Sequence, residues 1–161
     1  MSMKTDSREM LVFKLGSEEY GVDILKVQEI RGYEKVTPIP RSPDFLKGVV
    51  NLRGTIVPVI DLRVKFALPD PTSDSLTVVI VLRIAGRTVG AVVDGVSDVV
   101  QLAANDIKEP PRLGSIVDSS YLAGVATQGG RMILALDIEK LLSAGELNLL
   151  TEAAGPAAAA S

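Results

Sequence analysis

The sequence predicts a mainly β protein built from two small five-stranded β-barrels in tandem, with short capping helices and a C-terminal helix. Three observations predict this fold. First, 47% of the 161 residues are hydrophobic, with only three Phe, three Tyr and no Trp, and the branched aliphatic residues that dominate them fit a pleated sheet. Second, each half of the chain contains about five strand-like runs. Third, the two halves partly match each other in sequence.

The strand-like runs are separated at several points by glycine-containing breaks, the pattern expected of β-hairpins. Closing such hairpins into barrels removes the edges that apolar strands would otherwise expose. The predicted strands of the first half are Met10–Leu15, Glu19–Val22, Val27–Tyr33, Gly48–Leu52 and Thr55–Ile60. The predicted strands of the second half are Leu76–Ile84, Arg87–Val93, Val99–Leu102, Leu122–Thr127 and Arg131–Leu136.

An internal repeat supports the division into two similar units. Residues 45–66 align with residues 121–142 without gaps at a constant spacing of 76, and residues 12–30 align with residues 81–99 at a spacing of 69. Because both matches run in the same order along the chain, they predict a duplication. The aligned pairs include Leu46 with Leu122, Gly48 with Gly124, Asp61 with Asp137, Val12 with Val81, Gly21 with Gly90, and Glu29 with Asp98.

Short helices are predicted where an aspartate stands ready to cap the first turn. Asp61 precedes a predicted helix over Leu62–Leu68, and Asp137 precedes one over Ile138–Leu142. The resulting organisation is a flexible N-terminus at 1–9, a first barrel at about 10–68, a linker at 69–75, a second barrel at about 76–145, a C-terminal helix at 146–153 and a disordered tail at 154–161.

The composition argues against catalysis and against nucleic-acid binding. The net charge is −3 and the pI is near 5.0, so no basic field attracts phosphates. With no His and no Cys, the chain lacks the commonest general base, the thiolate nucleophile and the usual metal ligands. We therefore expect no enzyme activity, metal or cofactor. The polar segment from Ser2 to Arg8 lacks the apolar stretch of a signal peptide, which predicts a cytoplasmic protein.

Four aspartates that follow predicted strands keep one catalytic alternative open. Three of them stand before helix-like turns and can cap amide groups there, each cap contributing about 1 kcal/mol; an acid/base pair is the other interpretation. Capping explains their positions without a substrate, so we favour it. The rival functions are a stand-alone hydrolase that uses these carboxylates and a barrel that binds single-stranded nucleic acid, which the scarcity of aromatic residues disfavours. The four aspartates are Asp23, Asp61, Asp94 and Asp137.

Two segments carry side chains that suit a binding partner. Leu52 and Arg53 lie at the tip between two predicted strands, where an apolar side chain gains little from the fold itself. In the strand after Ile24, alternation places Val27, Glu29 and Arg31 on one face. That face is either a solvated surface with an ion pair or an apolar strip with flanking charges that fits an amphipathic helix.

Three strings closely resemble the bacterial chemotaxis coupling protein family CheW: LVFKLGSEEYGVDILKVQEIRGY, FLKGVVNLRGTIVPVIDLR and GAVVDGVSDVV. The resemblance runs from residue 10 to residue 150. It implies two SH3-like barrels around a shared apolar core and a chemotaxis adaptor that makes no covalent change. It also implies two partners, the cytoplasmic tip of methyl-accepting chemoreceptors and the regulatory domain of the histidine kinase CheA, which the adaptor helps to assemble into receptor arrays.

The same resemblance implies which residues contact each partner and where the protein works. The protein would be cytoplasmic and recruited to membrane receptor arrays, and self-association in rings stays open. The residues expected to bind the receptor are Val27, Glu29, Ile30, Leu52, Arg53, Gly54, Val96 and Ser97. The residues expected to bind the kinase are Val36, Ile39, Lys108, Arg112 and Leu113.

Overall fold

The structure is a computed structural model that describes residues 7–33, 35–66, 68, 76–108, 121–143 and 145–150. The predicted linker at 69–75 and the predicted tail at 154–161 lie outside these residues, as do residues 1–6 of the predicted N-terminal segment. The described strands are β1 (Ser7–Leu15), β2 (Glu18–Asp23), β3 (Val27–Gly32), β4 (Leu46–Leu52), β5 (Thr55–Asp61), β6 (Val78–Ile84), β7 (Arg87–Val93), β8 (Gly95–Ala103), β9 (Ile107–Lys108), β10 (Leu122–Gln128) and β11 (Arg131–Leu136).

The helices are few and short, as predicted. Asp61 caps α1, which covers only Leu62–Lys65 of the predicted longer helix. Asp137 caps a 3-10 turn over Ile138–Lys140. Residues 145–150 are helical, consistent with the predicted C-terminal helix, of which residues 151–153 lie outside the described part of the chain. The mainly β fold class is therefore confirmed.

The strands form two sheets, each of which combines strands from both halves of the sequence. The first, which we call barrel A, has the order β8-β1-β2-β11-β10-β9; the second, barrel B, has the order β3-β6-β7-β5-β4. The assignment of strands to barrels by sequence half is therefore wrong. The hairpin β1–β2 lies in barrel A and the hairpin β6–β7 in barrel B, because β2 pairs in parallel with β11 and β7 pairs in parallel with β5.

Although each barrel contains a hairpin from the other half of the sequence, the strand pairings of the two barrels are equivalent residue by residue. Val12 pairs with Gly21 in β1–β2, and Val81 pairs with Gly90 in β6–β7, each residue displaced by 69 positions. The strand orders also agree once β3 is equated with β8, β4 with β10 and β5 with β11. The same correspondence relates the pair Val12–Asp98 to Val81–Glu29 and the pair Ala135–Gly21 to Val59–Gly90.

Each barrel closes where the segment that follows one outer strand of the sheet, β3 or β8, reaches the strand at the opposite edge. In barrel B, Thr37 and Val49 exchange two hydrogen bonds of 2.9 Å, so the segment after β3 reaches β4. In barrel A, β9 follows β8 and pairs with β10 through Lys108. Gly48 and Gly124 stand at the two crossings, where a side chain would meet the closing backbone at 2.1 Å and 2.6 Å respectively.

The hydrophobic core consists of one cluster shared by both barrels and smaller clusters within each sheet. Along β1 the side chains alternate, with Leu11 and Phe13 in the shared cluster and Met10 and Val12 in the barrel A cluster. The shared cluster also includes residues of α1 and of the helix at 145–150, so it joins the barrels into one body. No helix in the described residues is both long and apolar enough to cross a bilayer. The aromatic rings within or beside the shared cluster form a row: Phe13, Tyr20, Phe66 and Tyr121.

Candidate partner-binding surfaces

The β4–β5 turn presents Arg53 to solvent in a defined backbone conformation. Arg53 and Gly54 have φ angles of 52° and 89°, as in the two-residue hairpin turns that favour glycine at the second position. The Asn51 side chain accepts a hydrogen bond of 2.8 Å from the Gly54 amide, which fixes the turn. The Arg53 side chain is 72% exposed, so its guanidinium is available to a partner.

Glu29 holds the Arg53 guanidinium from the opposite edge of barrel B. β3 and β4 are the outer strands of that sheet, yet the Glu29 carboxylate accepts a hydrogen bond from Arg53 and another, at 3.3 Å, from Arg31. These bonds, the one from Arg53 above all, lower the pKa of Glu29, so the carboxylate is ionised at neutral pH. The ion pair joins the β4–β5 turn to β3.

The two faces of β3 divide the predicted receptor-binding residues. A β-bulge between Val27 and Glu29 breaks the predicted alternation, so Glu29 and Arg31 share one face while Val27 and Ile30, which pair with Leu82 and Ile80, lie on the other. The prediction that Val27 shares a face with Glu29 and Arg31 is therefore wrong; Ile30 is 44% exposed. The structure therefore brings Arg53 to Glu29 but turns the Ile30 side chain away from that pair. A partner that touches both has to wrap around the edge of the strand.

Leu52 does not lie on the surface, and the prediction that it is displayed at the turn is wrong. Its side chain is buried and packs against Val57 and Val81 inside barrel B. The alternation of β4 turns Leu52 inward at the last position of the strand, where barrel B still has interior space to fill. Of the two turn residues, Arg53 and Gly54, Arg53 carries the exposed side chain.

Barrel A carries a counterpart of this ion pair that the sequence analysis missed. Asp98, the equivalent of Glu29 at a spacing of 69, accepts two hydrogen bonds from Arg131 at 3.0 Å and 2.9 Å. Arg131 also donates two hydrogen bonds of 3.1 Å to Glu19, and it lowers the pKa of both carboxyl groups. The signal that could have found it is the repeat itself, which aligns Glu29 with Asp98.

Val96 and Ser97 lie at the start of β8, at positions equivalent to Val27 and Gln28 at the start of β3. Val27 and Val96 are both half-buried against the shared cluster, so the structure brings these two predicted residues to one core from different barrels. The Ser97 hydroxyl oxygen is buried and makes no hydrogen bond within the described residues.

An apolar pocket opens within barrel B. At equivalent positions barrel A has Met10 and Ile133 in place of Val79 and Val57, but Ala126 and Ala135 in place of Val50 and Val59. Side-chain size alone therefore does not explain why barrel B has the pocket. The residues that line the pocket are Arg31, Gly32, Val36, Val50, Leu52, Val57, Val59, Val79, Val81 and Gly90.

The aspartates singled out in the sequence act as hydrogen-bond acceptors for backbone amides. Asp94, the one that does not precede a helical turn, accepts a hydrogen bond of 2.7 Å from the Gly16 amide. The described ranges contain no group of three or more His, Cys, Asp or Glu side chains that could hold a metal ion. The capping prediction is confirmed for the other three, whose carboxylates accept from the amides of Leu25, Arg63 and Glu139 at 2.9, 2.9 and 3.1 Å.

The two-barrel architecture matches a known family over most of the chain. A family model described as "CheW-like domain" matches residues 9–146. The chain belongs to the CheW-like family. "Chemotaxis protein CheW" of Klebsiella aerogenes is 55% identical over 151 residues, which are 94% of this chain and 91% of that protein. The protein of the same name from Rhizobium meliloti is 34% identical over 139 residues, 86% of this chain and 90% of that protein.

A solved structure gives the same result for the fold. The scaffolding protein TtCheW from Thermoanaerobacter tengcongensis superimposes with a TM-score of 0.80 at 32% sequence identity. The match covers 86% of this chain and 94% of that one. The CheW-like fold therefore accounts for both barrels and not for one of them alone.

The predicted kinase-binding residues of this CheW-like chain lie in different parts of the fold. Val36 lines the barrel B pocket, and Ile39 is half-buried in the same connection between β3 and β4. Lys108 is exposed in β9, at the closure of barrel A. Arg112 and Leu113 lie outside the described residues.

Proposed function

We propose that this protein is a chemotaxis adaptor that couples the cytoplasmic tip of chemoreceptors to the histidine kinase CheA and helps to assemble receptor arrays, without catalysing a reaction. The observation that carries the proposal is the 55% identity, over 94% of the chain, to a protein named for chemotaxis. The related structure is that of a scaffolding protein, and a scaffold works through the surfaces it presents.

The receptor-binding surface extends from the start of β3 to the β4–β5 turn and onto the start of β8. It combines half-buried valines with the Glu29–Arg53 ion pair, the arrangement that suits an amphipathic helix laid across an apolar strip. Leu52 supports the surface from inside barrel B and does not contact the receptor. The residues we assign to it are Val27, Glu29, Ile30, Arg53, Gly54, Val96 and Ser97.

The kinase-binding surface is the open end of barrel B. Val36 lies at the rim of a small pocket lined mainly by valines, so it offers a partner an apolar contact. Ile39 extends the apolar surface along the connection to β4. Lys108 belongs to barrel A, so any contact it makes with the kinase involves a separate patch.

Two separate surfaces on one rigid body explain how an adaptor can transmit a signal. A receptor changes kinase activity through the adaptor only if the contacts differ between receptor states, because coupling is a difference in binding free energies. Each contact can be weak, since assembly into an array multiplies the effective affinity. The protein would accordingly be recruited from the cytoplasm to membrane-bound arrays.

A pair of binding measurements tests the proposal. Purified protein is titrated with a receptor tip fragment and, separately, with the regulatory domain of CheA, and we expect both to bind and a ternary complex to form. Val36→Asp is expected to weaken kinase binding about ten-fold or more and to spare receptor binding. Val99→Asp, which changes a valine 49% exposed on barrel A, is the matched control. Failure of both partners to bind the wild-type protein contradicts the proposal.

A further inference from the structure

The tips of the two exchanged hairpins are each held by a carboxylate that lies outside the hairpin. At the β1–β2 turn, the Gly16 amide donates a hydrogen bond of 2.7 Å to Asp94 Oδ2. At the β6–β7 turn, the Ala85 amide donates one of 3.0 Å to Glu139 Oε1. Gly16 and Ala85 are equivalent at the spacing of 69, so the two hairpins are held at the same point of their turns.

A cation holds each of these carboxylates in turn. Arg63 Nη1 lies 3.1 Å from Asp94 Oδ1, and Lys26 Nζ lies 3.2 Å from Glu139 Oε2. Asp94 lies two residues before Val96, and Lys26 directly precedes Val27. Each contact therefore sits at the start of a strand, β8 or β3, that contributes to the proposed receptor-binding surface.

The two contacts differ in burial. The Arg63 side chain is 3% exposed, and Asp61 accepts hydrogen bonds of 2.9 Å from both its Nε and Nη2 atoms, a bidentate geometry that fixes the guanidinium plane. These bonds to Asp61, followed by the contact with Asp94, raise the pKa of Arg63. Lys26 and Glu139 are each 42% exposed, so salt screens their pair.

The more buried contact, between Arg63 and Asp94, also spans the junction between the barrels. Arg63 belongs to α1, which follows β5 of barrel B, and Gly16 belongs to the hairpin in barrel A. Asp94 lies between β7 of barrel B and β8 of barrel A, and its own amide donates a hydrogen bond of 3.0 Å to the Lys14 carbonyl. One carboxylate thus ties α1, the hairpin tip and the start of β8 together.

We propose that Asp94, oriented by the buried Arg63, is a positioning residue that sets the start of β8, and hence Val96 and Ser97, for receptor binding. The inference rests on the proposed function of that surface. Asp94 need not touch the receptor itself; it acts by fixing where the strand leaves the junction. Substitution of a residue that acts only through its neighbours changes the affinity for a ligand typically by about 2- to 30-fold.

The test combines binding with a measurement on the free protein. Asp94→Ala is expected to raise the Kd for a receptor tip fragment by about 2- to 30-fold, to leave the Kd for the kinase regulatory domain within about two-fold, and to shift the amide NMR resonances of Val96 and Ser97. Asp94→Asn, which keeps an acceptor for the Gly16 amide but loses the charge, is the milder variant should the alanine variant not fold. Asp106→Ala is the control, because Asp106 accepts a similar bond of 3.0 Å from the Ala103 amide at the other end of β8.

The outcomes separate this inference from the function on which it rests. Unchanged Val96 and Ser97 resonances in the Asp94 variants overturn the inference, whatever the measured Kd for the receptor tip fragment. A parallel loss of receptor and kinase binding that follows the loss of stability also overturns it, since Asp94 then only supports the fold. A wild-type protein that binds no receptor tip contradicts the proposed function instead, and the NMR measurement still decides whether Asp94 positions β8.

Discussion

Gly48 and Gly124 are equivalent residues that perform the same task in the two barrels. A Cβ atom at Gly48 would lie 2.1 Å from the Thr37 carbonyl oxygen, and one at Gly124 would lie 2.6 Å from the Lys108 carbonyl oxygen. Both distances are well inside van der Waals contact, so only glycine lets the closing strand approach. Closure of both barrels therefore requires a residue without a Cβ atom at these two equivalent positions, which are 76 residues apart.

Gly124→Ala should destabilise the protein through this contact. The new methyl group would also lie 2.5 Å from Ile107 Cγ2, and overpacking of this kind costs about 1–3 kcal/mol. We expect the free energy of unfolding, measured by urea denaturation, to fall by about that amount. The control is Gly32→Ala, since nothing lies within 4 Å of a Cβ there; equal losses in the two variants would show that packing at the closure is not the cause.

Reversing the charge of Arg53 should separate binding from stability. Arg53→Glu places a carboxylate beside Glu29 on the proposed receptor surface, and we expect weaker receptor binding with a nearly unchanged melting temperature, because exposed ion pairs contribute little to stability. Isothermal titration and a thermal melt measure the two quantities. Arg83→Glu, on the exposed side of β6, is the matched reversal. A large drop in melting temperature with normal receptor binding would assign Arg53 to the fold.

The Arg131 network should make the free energy of unfolding depend on pH in the acidic range. Arg131 lowers the pKa of Glu19 and of Asp98 from their usual 4.5 and 3.8; depressed folded-state pKa values mean that the stabilisation is present above these values and is lost as the pH falls below them. Arg131→Met should therefore be less stable than the wild type at pH 7, by about 1 kcal/mol or less for exposed pairs. The difference should shrink as the pH falls from about 4.5 through the lowered pKa values of the two carboxyl groups. Urea denaturation at several pH values measures it, and a difference independent of pH would rule out the ion pairs as its source.

Most strands were predictable from the sequence because alternation and turn residues are local properties. The aspartate caps at Asp61 and Asp137 were predictable for the same reason. The burial of Leu52 could not be predicted in this way. It depends on the space that side chains from the other strands leave inside barrel B. The Arg131 network escaped prediction because its carboxylates, Glu19 and Asp98, come from strands far apart in the chain.

The exchange of hairpins could not be predicted from the same patterns. Because the halves are alike, the hairpin β1–β2 presents nearly the same alternation as β6–β7, and either could complete either sheet. What decides between them is the fit of whole faces, such as Phe13 and Tyr20 against the shared cluster, which depends on shape more than on pattern. Equivalent residues such as Val12 and Val81 pair in the same register in both barrels, so register alone does not distinguish the two arrangements.

Cutting the chain between its halves should leave the structure assembled. Each barrel takes a hairpin from one half and its remaining strands from the other, so neither half contains a complete sheet. If residues 70–74 are replaced by a protease site and cleaved, we expect the two fragments to elute together with the far-UV spectrum of the uncleaved variant. The melting temperature should now depend on concentration, because unfolding also separates the fragments. Each fragment isolated in denaturant should fail to refold alone and should recover on mixing. Fragments that separate and melt cooperatively by themselves would show that the barrels form within the halves.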